Sequence, residues 1–370
     1  MFLILCLIKY HNQAQETDQL FQLGRIKREL LLHETLRRKE LKISVILTAY
    51  DRKTYINQAI KSVSEQTLGH SEFEVIIVSN FEVSRSHCPP DLQVSNVLMG
   101  GTMGEFLYAG IIAAKSDIIA FLDDDDTWDR NHLKEILSAF DSKQQISYYH
   151  NSERYIDRTG QEISVPFQNP RRTNNRYYKI SPSDRKNILK LINMGAGFNL
   201  SSIAVLKSKI YYLLPVLQKI LTNPDGLFFW GTIITGGEIY LNNKKLTSYR
   251  AHTTNISMSN NSEMRALELS RQMETFHLLE KLCDTFENDE RLSKVRKFLR
   301  LQVLVWGIHY LMYSNGSRRQ VIHNQKEIAK HWRYFDYSVT LGVLLRSVFF
   351  IVHPNLLNIL NRLVSFGGIA

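Results

Sequence analysis

The chain has 370 residues, which is too long for one simple core and indicates a catalytic domain with an extension. Its hydrophobic content of 44% is ordinary for a globular protein, and its formal net charge of +10 favours phosphate-bearing ligands, anionic lipid surfaces or nucleic acid as partners. The three cysteines lie far apart without metal-ligand spacing, which excludes a cysteine metal site and indicates reduced thiols in an intracellular protein.

Residues 1–42 are predicted to form a basic helical segment. An apolar run at residues 2–8 is too short to span a bilayer and lacks the flanking residues of a signal peptide. Over residues 17–42, Leu23, Ile26 and Leu30 share one helix face, and arginine and lysine side chains surround it.

Residues 43–122 alternate between strand and helix patterns. Continuous β-rich runs at 43–48, 74–78 and 117–122 predict three buried strands, and amphipathic spacing predicts a helix in each interval between them. This alternation favours an α/β fold with a parallel sheet and crossover helices. In such sheets, ligands bind at the carboxyl ends of the strands.

The second half of the chain is less regular. Residues 145–258 mix strand and turn patterns, and residues 166–187 form a basic loop with four arginines. From about residue 262 onward the pattern is mostly helical. We therefore predict three parts: the basic segment 1–42, a catalytic domain at 43–258, and a helical extension at 259–370.

Four adjacent aspartates, Asp123 to Asp126, follow the third predicted strand. Carboxylates this close repel one another, so they are costly unless a cation compensates their charge. Their oxygen atoms suit Mg²⁺ or Mn²⁺, which would bridge carboxylate and phosphate oxygens. The alternative is an acidic turn that caps the helix predicted to start near Arg130. The four residues by themselves leave both interpretations open.

Six short motifs occur in order along residues 43–257. They are Ser44 to Tyr50 (SVILTAY), Ala59 to Thr67 (AIKSVSEQT), Ala114 to Asp126 (AKSDIIAFLDDDD), Asn193 to Gly197 (NMGAG), Asn223 to Asp225 (NPD) and Tyr249 to Ser257 (YRAHTTNIS). Together they resemble the family 2 glycosyltransferases. The resemblance implies a GT-A fold, which is an α/β fold with a Rossmann-like, mixed, mostly parallel sheet flanked by helices.

The resemblance also implies a reaction. A hexose-type sugar would pass from a nucleotide diphosphate sugar to an acceptor hydroxyl of a glycan or lipid-linked glycan, with inversion at the anomeric carbon. Asp123 and Asp125 would hold Mn²⁺ or Mg²⁺, and Asp225 would act as the general base. The implied donor-binding residues are Thr48, Ala49, Tyr50, Asn80, Asp123, Asp124, Arg250 and His252, and the implied acceptor-side residues are Gly195, Gly197 and Trp230.

One position departs from the family pattern. After the second strand the family usually carries two acids, the first of which contacts the nucleobase, whereas this chain has Ser79 and Asn80. An asparagine can hydrogen-bond to a base edge, but it carries no charge. UDP is therefore our default donor nucleotide, and GDP is the alternative.

Other functions compete with this interpretation. A nucleotidyltransferase would share the Rossmann-like half and the metal carboxylates, but its glycine-rich loop is missing after the first strand. Nucleic-acid binding is suggested by charge alone, and no recognition motif supports it, so we expect no nucleic-acid partner. A catalytically inactive scaffold protein of the same family stays open because of Asn80.

Basic charge is concentrated in the amino-terminal segment, around Arg171 and Arg172, and from Arg291 to Arg300. These segments are either solvated helix faces or contacts with an anionic membrane surface or a lipid-phosphate acceptor. The apolar region 341–364 would either assist such docking or form the core of a helical domain. We expect a cytoplasmic protein, with peripheral association at the inner face of the membrane as an option.

Overall fold

The computed structural model describes residues 42–84, 88–142, 145–164, 172–251, 262–286, 290–314 and 316–331, together with 344, 345, 347, 348 and 351. The predicted amino-terminal helix, His252 and most of the apolar region 341–364 lie outside the described residues. Within the described ranges, no helix combines the length and the apolar character that crossing a bilayer requires.

A mixed sheet forms the centre of the fold. Its described strands are β1 (Ile43–Ala49), β2 (Phe73–Ser79), β3 (Gln93–Leu98), β4 (Ile118–Asp123), β5 (Thr127–Trp128), β6 (Tyr148–Ile156), β7 (Glu162–Ile163), β8 (Arg176–Lys179), β9 (Ile203–Leu206) and β10 (Glu238–Arg250). Along the sheet they follow the order β3-β2-β1-β4-β9-β6-β10-β5, with β7 beside β6 and β8 beside β10. Strands β3, β2, β1 and β4 are mutually parallel, whereas β9 is antiparallel to both of its neighbours.

Helices follow most of these strands. The described helices are α1 (Ile56–Ser64), α2 (Met103–Ala113), α3 (His132–Phe140), α4 (Arg185–Asn193), α5 (Lys207–Ile210), α6 (Leu214–Leu217), α7 (Pro224–Ile234), α8 (Ser262–Asp284), α9 (Leu292–Tyr313) and α10 (Arg318–Lys330). The amphipathic α1 buries Ile56, Ala59, Ile60 and Val63. Helix α2 begins at a capping box in which Thr102 and Glu105 satisfy each other's backbone N–H groups.

The sheet is covered on both faces. Successive residues of β1 point to opposite sides: Ile46 packs in one apolar cluster with α2 and α7, while Val45 and Leu47 pack in another with α1 and α3. Burial on both faces explains why β1 and β2 read as continuous apolar runs rather than alternating ones. The predicted α/β class, with a mixed, mostly parallel sheet flanked by helices, is confirmed.

The helical carboxyl-terminal part packs on this core. Phe276 of α8 and Phe298 of α9 belong to the same apolar cluster as Phe121 of β4. Over the described part of residues 262–331, the predicted helical pattern corresponds to α8, α9 and α10. The predicted domain boundary at residue 258 falls outside the described residues and stays a prediction.

Candidate active site

The four aspartates form a tight loop at the carboxyl end of β4, called here the acidic loop (Asp123–Asp126). Strands β1 and β4 run in parallel register with Thr48 beside Asp123, so both strands end at the same edge of the sheet. The Thr48 hydroxyl donates to Asp123 Oδ1 at 3.1 Å, and the Asp124 N–H donates to the Thr48 carbonyl at 3.1 Å. The end of β1 therefore holds the start of the acidic loop.

Negative charge on the acidic loop is only partly compensated. Burial and the charge of Asp125 raise the pKa of Asp123 and of Asp124 to about 7, and burial raises that of Asp126 well above its ordinary value. Arg52 forms ion pairs with two of the carboxylates, at 2.6 Å to Asp124 Oδ1 and 2.7 Å to Asp125 Oδ2. Asp124 Oδ2 is buried and has no hydrogen-bond partner.

These features fit a divalent-metal site. Carboxylate oxygens are the ligands that Mg²⁺ and Mn²⁺ prefer, and a cation would relieve the repulsion that raises the aspartate pKa values. Among the described residues, no three acidic, histidine or cysteine side chains are arranged to hold a metal on their own. A metal here would thus take one or two aspartates from the protein and its other ligands from phosphate and water, which is the usual pattern for Mg²⁺.

Arg250 supports the acidic loop from inside the protein. Its side chain is 1% exposed and stacks over the ring of Tyr55, with 4.3 Å between the guanidinium carbon and the ring centroid. Its Nε donates to the Asp125 carbonyl at 2.8 Å, and its backbone N–H donates to Asp126 Oδ1 at 2.9 Å. Its terminal nitrogens donate to the carbonyls of Asp157 and Arg158 and to Gln58 Oε1. The expectation of a direct donor contact is therefore corrected, because these bonds make Arg250 a positioning residue for the loop.

A short 3₁₀ turn, Leu200–Ser202 with its cap Asn199, connects the acidic loop to Asp225. Ser201 Oγ accepts from the Asp123 N–H at 3.0 Å. Two residues earlier, the Asn199 N–H donates to Asp225 Oδ2 at 3.0 Å. Asn199 adopts a left-handed φ of 64° and Ser201 is fully buried, so both contacts come from a constrained backbone. The turn thus brings the predicted base and the predicted metal site into one locality.

Asp225 lies in the first turn of α7. The sequence Asn223-Pro224-Asp225-Gly226 begins this helix: Asn223 is the N-cap with a left-handed φ of 61°, and its Oδ1 accepts from the Gly226 N–H. Burial raises the pKa of Asp225 to about 6, against the opposing effect of the Gly226 and Asn199 N–H groups. A carboxylate with this pKa is ionised at neutral pH and is basic enough to accept a proton.

The glycine loop after α4 lies next to α7. Gly195 has a left-handed φ of 65°, a conformation that favours glycine. A Cβ on Gly197 would stand 2.9 Å from the ring of Phe229, so this glycine permits close packing against α7. The loop carbonyls are held by side chains: Tyr148 donates to Ala196, Arg172 to Met194 and His150 to Phe198. No such anchor was evident from the sequence.

Trp230 does not belong to an acceptor site. It is 4% exposed and packs between the rings of Phe229 and Phe298, in the apolar cluster beneath the sheet. The prediction that it faces the acceptor is wrong, because the first turn of α7 carries Asp225 to the site while later turns enter the core.

The residues predicted to bind the donor differ in how exposed their side chains are. The Ala49 side chain is fully buried in β1, so the predicted donor contact of this residue would come from its backbone, whereas Tyr50 is 47% exposed and packs edge-on against Phe106. Asn80, at the end of β2, pairs reciprocally with Asp51: its Nδ2 donates to Asp51 Oδ1 at 2.6 Å, and its Oδ1 accepts from the Asp51 N–H at 3.0 Å. An exposed carboxylate therefore lies beside the position where the family carries its acid.

Asp51 and Arg52 were not singled out in the sequence. They directly follow the predicted donor loop, and this position was the one sign in the sequence that they belong to the site. Their partners are far away in the chain, at positions 80, 124 and 125, so the sheet topology had to be known first.

Comparisons with known proteins agree with the motifs. Residues 102–206 match the family model described as glycosyl transferase family 2. An uncharacterized glycosyltransferase of Nostoc sp. is 28% identical over 232 residues, covering 59% of this chain and 67% of the relative. An uncharacterized glycosyltransferase of Haemophilus influenzae is 30% identical over 114 residues, covering 29% of this chain and 38% of the relative.

Solved structures were also compared. TarS of S. aureus, residues 1–349 in complex with UDP-GlcNAc, has a TM-score of 0.45 at 16% identity and covers 75% of this chain and 82% of its own. The mannosyltransferase PcManGT of Pyrobaculum calidifontis, in complex with GDP-Man and Mn²⁺, has a TM-score of 0.48 at 12% identity. The match covers 90% of this chain and 94% of PcManGT. Both TM-scores are below 0.5, so the assignment rests on the sequence matches.

The matched segment 102–206 begins at the cap of α2 and contains the acidic loop, the glycine loop and β9. Asp225 and Arg250 lie beyond it. The match favours sugar transfer over nucleotidyl transfer and confirms the resemblance drawn from the motifs. Over residues 102–206 the chain is similar to glycosyl transferase family 2, and the curated relatives reported above are glycosyltransferases.

Proposed function

We propose that this chain is a metal-dependent, inverting glycosyltransferase that moves a hexose-type sugar from a nucleotide diphosphate sugar onto an acceptor hydroxyl of a glycan or lipid-linked glycan. One observation carries the proposal: the turn at Asn199–Ser202 contacts Asp225 with one backbone N–H and the start of the acidic loop with one hydroxyl. The proposed base and the proposed metal-binding carboxylates are thereby held by the same turn.

Asp225 is the general base of the proposed reaction. It removes the proton from the acceptor hydroxyl while the acceptor oxygen attacks the anomeric carbon and the bond to the diphosphate breaks. A single displacement of this kind inverts the anomeric configuration. A pKa of about 6 keeps the carboxylate ionised at pH 7 without making it a weak base.

Asp123 and Asp125 are the proposed metal ligands, for Mn²⁺ or Mg²⁺. The ion would neutralise the charge that develops on the leaving diphosphate. Arg250, Ser201 and Thr48 fix the backbone of the acidic loop before the donor arrives. Such preorganisation avoids reorganisation during the reaction.

The donor is proposed to lie along the carboxyl edge of β1 and β2, with Tyr50, Asn80 and Asp124 among its contacts. The pair formed by Asp51 and Asn80 offers a carboxylate acceptor and amide groups at this edge. Asp51 thus supplies, from the neighbouring loop, the negative charge that Asn80 lacks. This arrangement supports a nucleobase with an N–H donor, which both uracil and guanine possess, and UDP remains our first choice.

The acceptor is proposed to bind near the glycine loop, where Gly195 and Gly197 leave the backbone accessible beside α7. A lipid-linked acceptor and peripheral association with the inner face of a membrane, from the cytoplasm, are supported by the net charge of +10. Part of the basic charge of α9 is compensated within the chain, because Arg296 pairs with Asp284 at the end of α8 and Arg300 pairs with Glu280 of α8. These two arginines therefore favour the interpretation as a structural helix face.

Nucleotide release tests the proposal. The purified chain is incubated with UDP- and GDP-sugars in Mn²⁺, Mg²⁺ or EDTA, alongside the Asp125→Asn and Asp225→Asn variants. We expect metal-dependent release from one donor by the wild type and a loss of at least about 100-fold in each variant. Release that persists in EDTA would contradict the metal requirement, and full activity of Asp225→Asn would contradict the base.

A further inference from the structure

Arg52 pairs with Asp125, one of the two proposed metal ligands, and with its neighbour Asp124. It lies on the loop after β1, and its two terminal nitrogens reach Asp124 Oδ1 at 2.6 Å and Asp125 Oδ2 at 2.7 Å. The guanidinium therefore bridges two adjacent aspartates, with one charge-assisted bond to each. Its positive charge takes the place that a bound cation would take.

The two arginines of the site differ in their freedom to move. Arg250 is 1% exposed, and its guanidinium bonds to backbone carbonyls of the loop and of residues 157 and 158. The Arg52 side chain is 35% exposed, and its loop begins at Asp51, which has a left-handed φ of 56°. Arg52 can leave the carboxylates by side-chain rotation, whereas Arg250 cannot leave without opening the fold.

A divalent ion and the Arg52 guanidinium cannot share these carboxylates at low cost. A metal on Asp125 would lie within a few ångströms of the guanidinium, and cations at that separation repel strongly in a partly buried site. Asp125 Oδ2, which already accepts a charge-assisted bond from Arg52, is also a poorer metal ligand. Each cation therefore weakens the binding of the other.

We propose that Arg52 is an exchangeable counter-cation: it neutralises Asp124 and Asp125 in the metal-free protein, and metal binding displaces it toward the donor diphosphate. This inference rests on the proposed metal site. The displaced guanidinium remains on the donor loop, where diphosphate oxygens are the bidentate partner that suits it best. Arg52 would then neutralise the two aspartates before the donor binds and bind the donor diphosphate afterwards.

The test is a titration of nucleotide-free protein with Mn²⁺, followed by electron paramagnetic resonance or calorimetry. Arg52→Gln is compared with wild type and with Lys53→Gln, which removes the same charge from the adjacent position, where the ammonium lies 5.1 Å over the Phe81 ring instead of on the acidic loop. We expect Arg52→Gln to bind Mn²⁺ on the order of tenfold more tightly, with Lys53→Gln close to wild type. Adding Asp125→Asn to Arg52→Gln should abolish the gain.

A second readout covers the case in which Arg52→Gln folds poorly without metal. Mn²⁺ should then raise its melting temperature by more than that of wild type, because the carboxylates have lost their counter-cation. At saturating Mn²⁺, the proposal also expects UDP or GDP to bind Arg52→Gln more weakly than wild type, on the order of tenfold.

The outcomes separate the two proposals. Equal or weaker Mn²⁺ binding by Arg52→Gln, in a wild type that does bind the metal, would overturn the exchange and leave the metal site standing. Unchanged nucleotide affinity at saturating Mn²⁺ would overturn the assignment of Arg52 to the diphosphate. Absence of Mn²⁺ binding in both proteins, with UDP or GDP present as well as without, would overturn the metal site itself and the exchange with it.

Discussion

At the residue scale, the site contains carboxylates whose ionised form is destabilised by their surroundings. Asp225 is desolvated in the first turn of α7, and the aspartates of the acidic loop are desolvated beside one another. In each case the ionised form is less favourable in the folded protein than in water. Perturbed pKa values of this kind cluster at functional sites, where the charged group takes part in binding or catalysis.

Replacement of Asp225 by asparagine should stabilise the protein at neutral pH. The folded pKa of about 6 lies above the ordinary value of 3.8, so the stabilising contribution of Asp225 is present below about pH 4 and is lost as the pH rises through 6. Asparagine carries no charge and can keep an oxygen acceptor for the Asn199 N–H. We expect a gain of about 1 kcal/mol in the free energy of unfolding at pH 7.5, discounted because the side chain is partly exposed.

Urea unfolding at pH 7.5 and pH 5 measures this difference. The gain should shrink at pH 5, where the folded wild type is mostly protonated at Asp225. A gain that is independent of pH, or a loss of stability at both pH values, would show that the carboxylate is not the destabilised group. Transfer activity, in contrast, should fall in this variant at every pH.

The substitution Asn80→Asp, which restores the acid that the family usually carries, should weaken donor binding by this protein. The Asn80 amide donates to Asp51 Oδ1 at 2.6 Å, and a carboxylate at position 80 would place two negative charges face to face. We expect donor affinity to fall by about threefold to tenfold, because like charges oppose the shared geometry. Calorimetry with UDP and GDP measures the change.

The control for that prediction is the double variant Asp51→Asn with Asn80→Asp, which exchanges the two groups. It should recover much of the lost affinity if the pair acts as a unit. An Asn80→Asp protein that binds the nucleotide as well as the wild type would contradict a shared role for the two residues.

At the scale of elements, the acidic loop is a short segment that hydrogen bonds from three other segments hold in place. The end of β1 holds its first residues, the turn at Asn199–Ser202 holds the Asp123 N–H, and Arg250 at the end of β10 holds Asp125 and Asp126. These supports come from distant parts of the sequence. A loop with four carboxylates can keep one conformation because these bonds hold its backbone at Asp123 and Asp125 and its side chains at Asp123 and Asp126.

Arg250→Lys should loosen the acidic loop while keeping the charge. A lysine cannot reproduce the bonds from Nε and both terminal nitrogens to three separate acceptor groups. We expect a loss of about 2–4 kcal/mol in stability and weaker Mn²⁺ binding. Thermal unfolding and Mn²⁺ titration measure the two effects, and a fully stable variant with normal Mn²⁺ affinity would refute the positioning role.

The contact between α2 and α6 depends on a glycine. A Cβ on Gly104 would meet the Leu217 carbonyl oxygen at 1.9 Å and the Ile220 carbonyl oxygen at 2.7 Å, both of them backbone atoms. Gly104→Ala should therefore cost about 2–4 kcal/mol of stability. Gly100→Ala is the matched control, since nothing lies within 4 Å of its Cβ, and equal melting temperatures for the two variants would contradict the packing.

At the scale of the whole molecule, the strands that could be predicted from the sequence are the buried ones. Strands β1, β2 and β4 are apolar over most of their length and were predicted, whereas β3 has the polar sequence QVSNVL, lies at an edge and was missed. Asp225 and the acidic loop were predicted because family motifs contain them. The resemblance implied that they share one site, but the turn at Asn199–Ser202 that contacts both was not predicted, because it precedes the antiparallel strand β9.

The errors have equally physical causes. Trp230 is an aromatic residue near a catalytic candidate, and from sequence alone an aromatic acceptor platform and a core tryptophan look the same. Arg250 has the right charge for a diphosphate, but charge does not reveal that a guanidinium is buried and saturated by carbonyls. Arg52 was missed because ion pairs across a sheet edge leave no local pattern.

The central claim is that the acidic loop binds a nucleotide diphosphate together with a divalent metal, while Asp225 acts only in the transfer. Equilibrium binding of UDP and GDP, with Mn²⁺ and with EDTA, to wild type, Asp125→Asn and Asp225→Asn tests it most directly. The account predicts that Mn²⁺ raises the affinity for one nucleotide by at least about tenfold in wild type and in Asp225→Asn, but not in Asp125→Asn. Equal nucleotide affinity with and without Mn²⁺ in the wild type would contradict it.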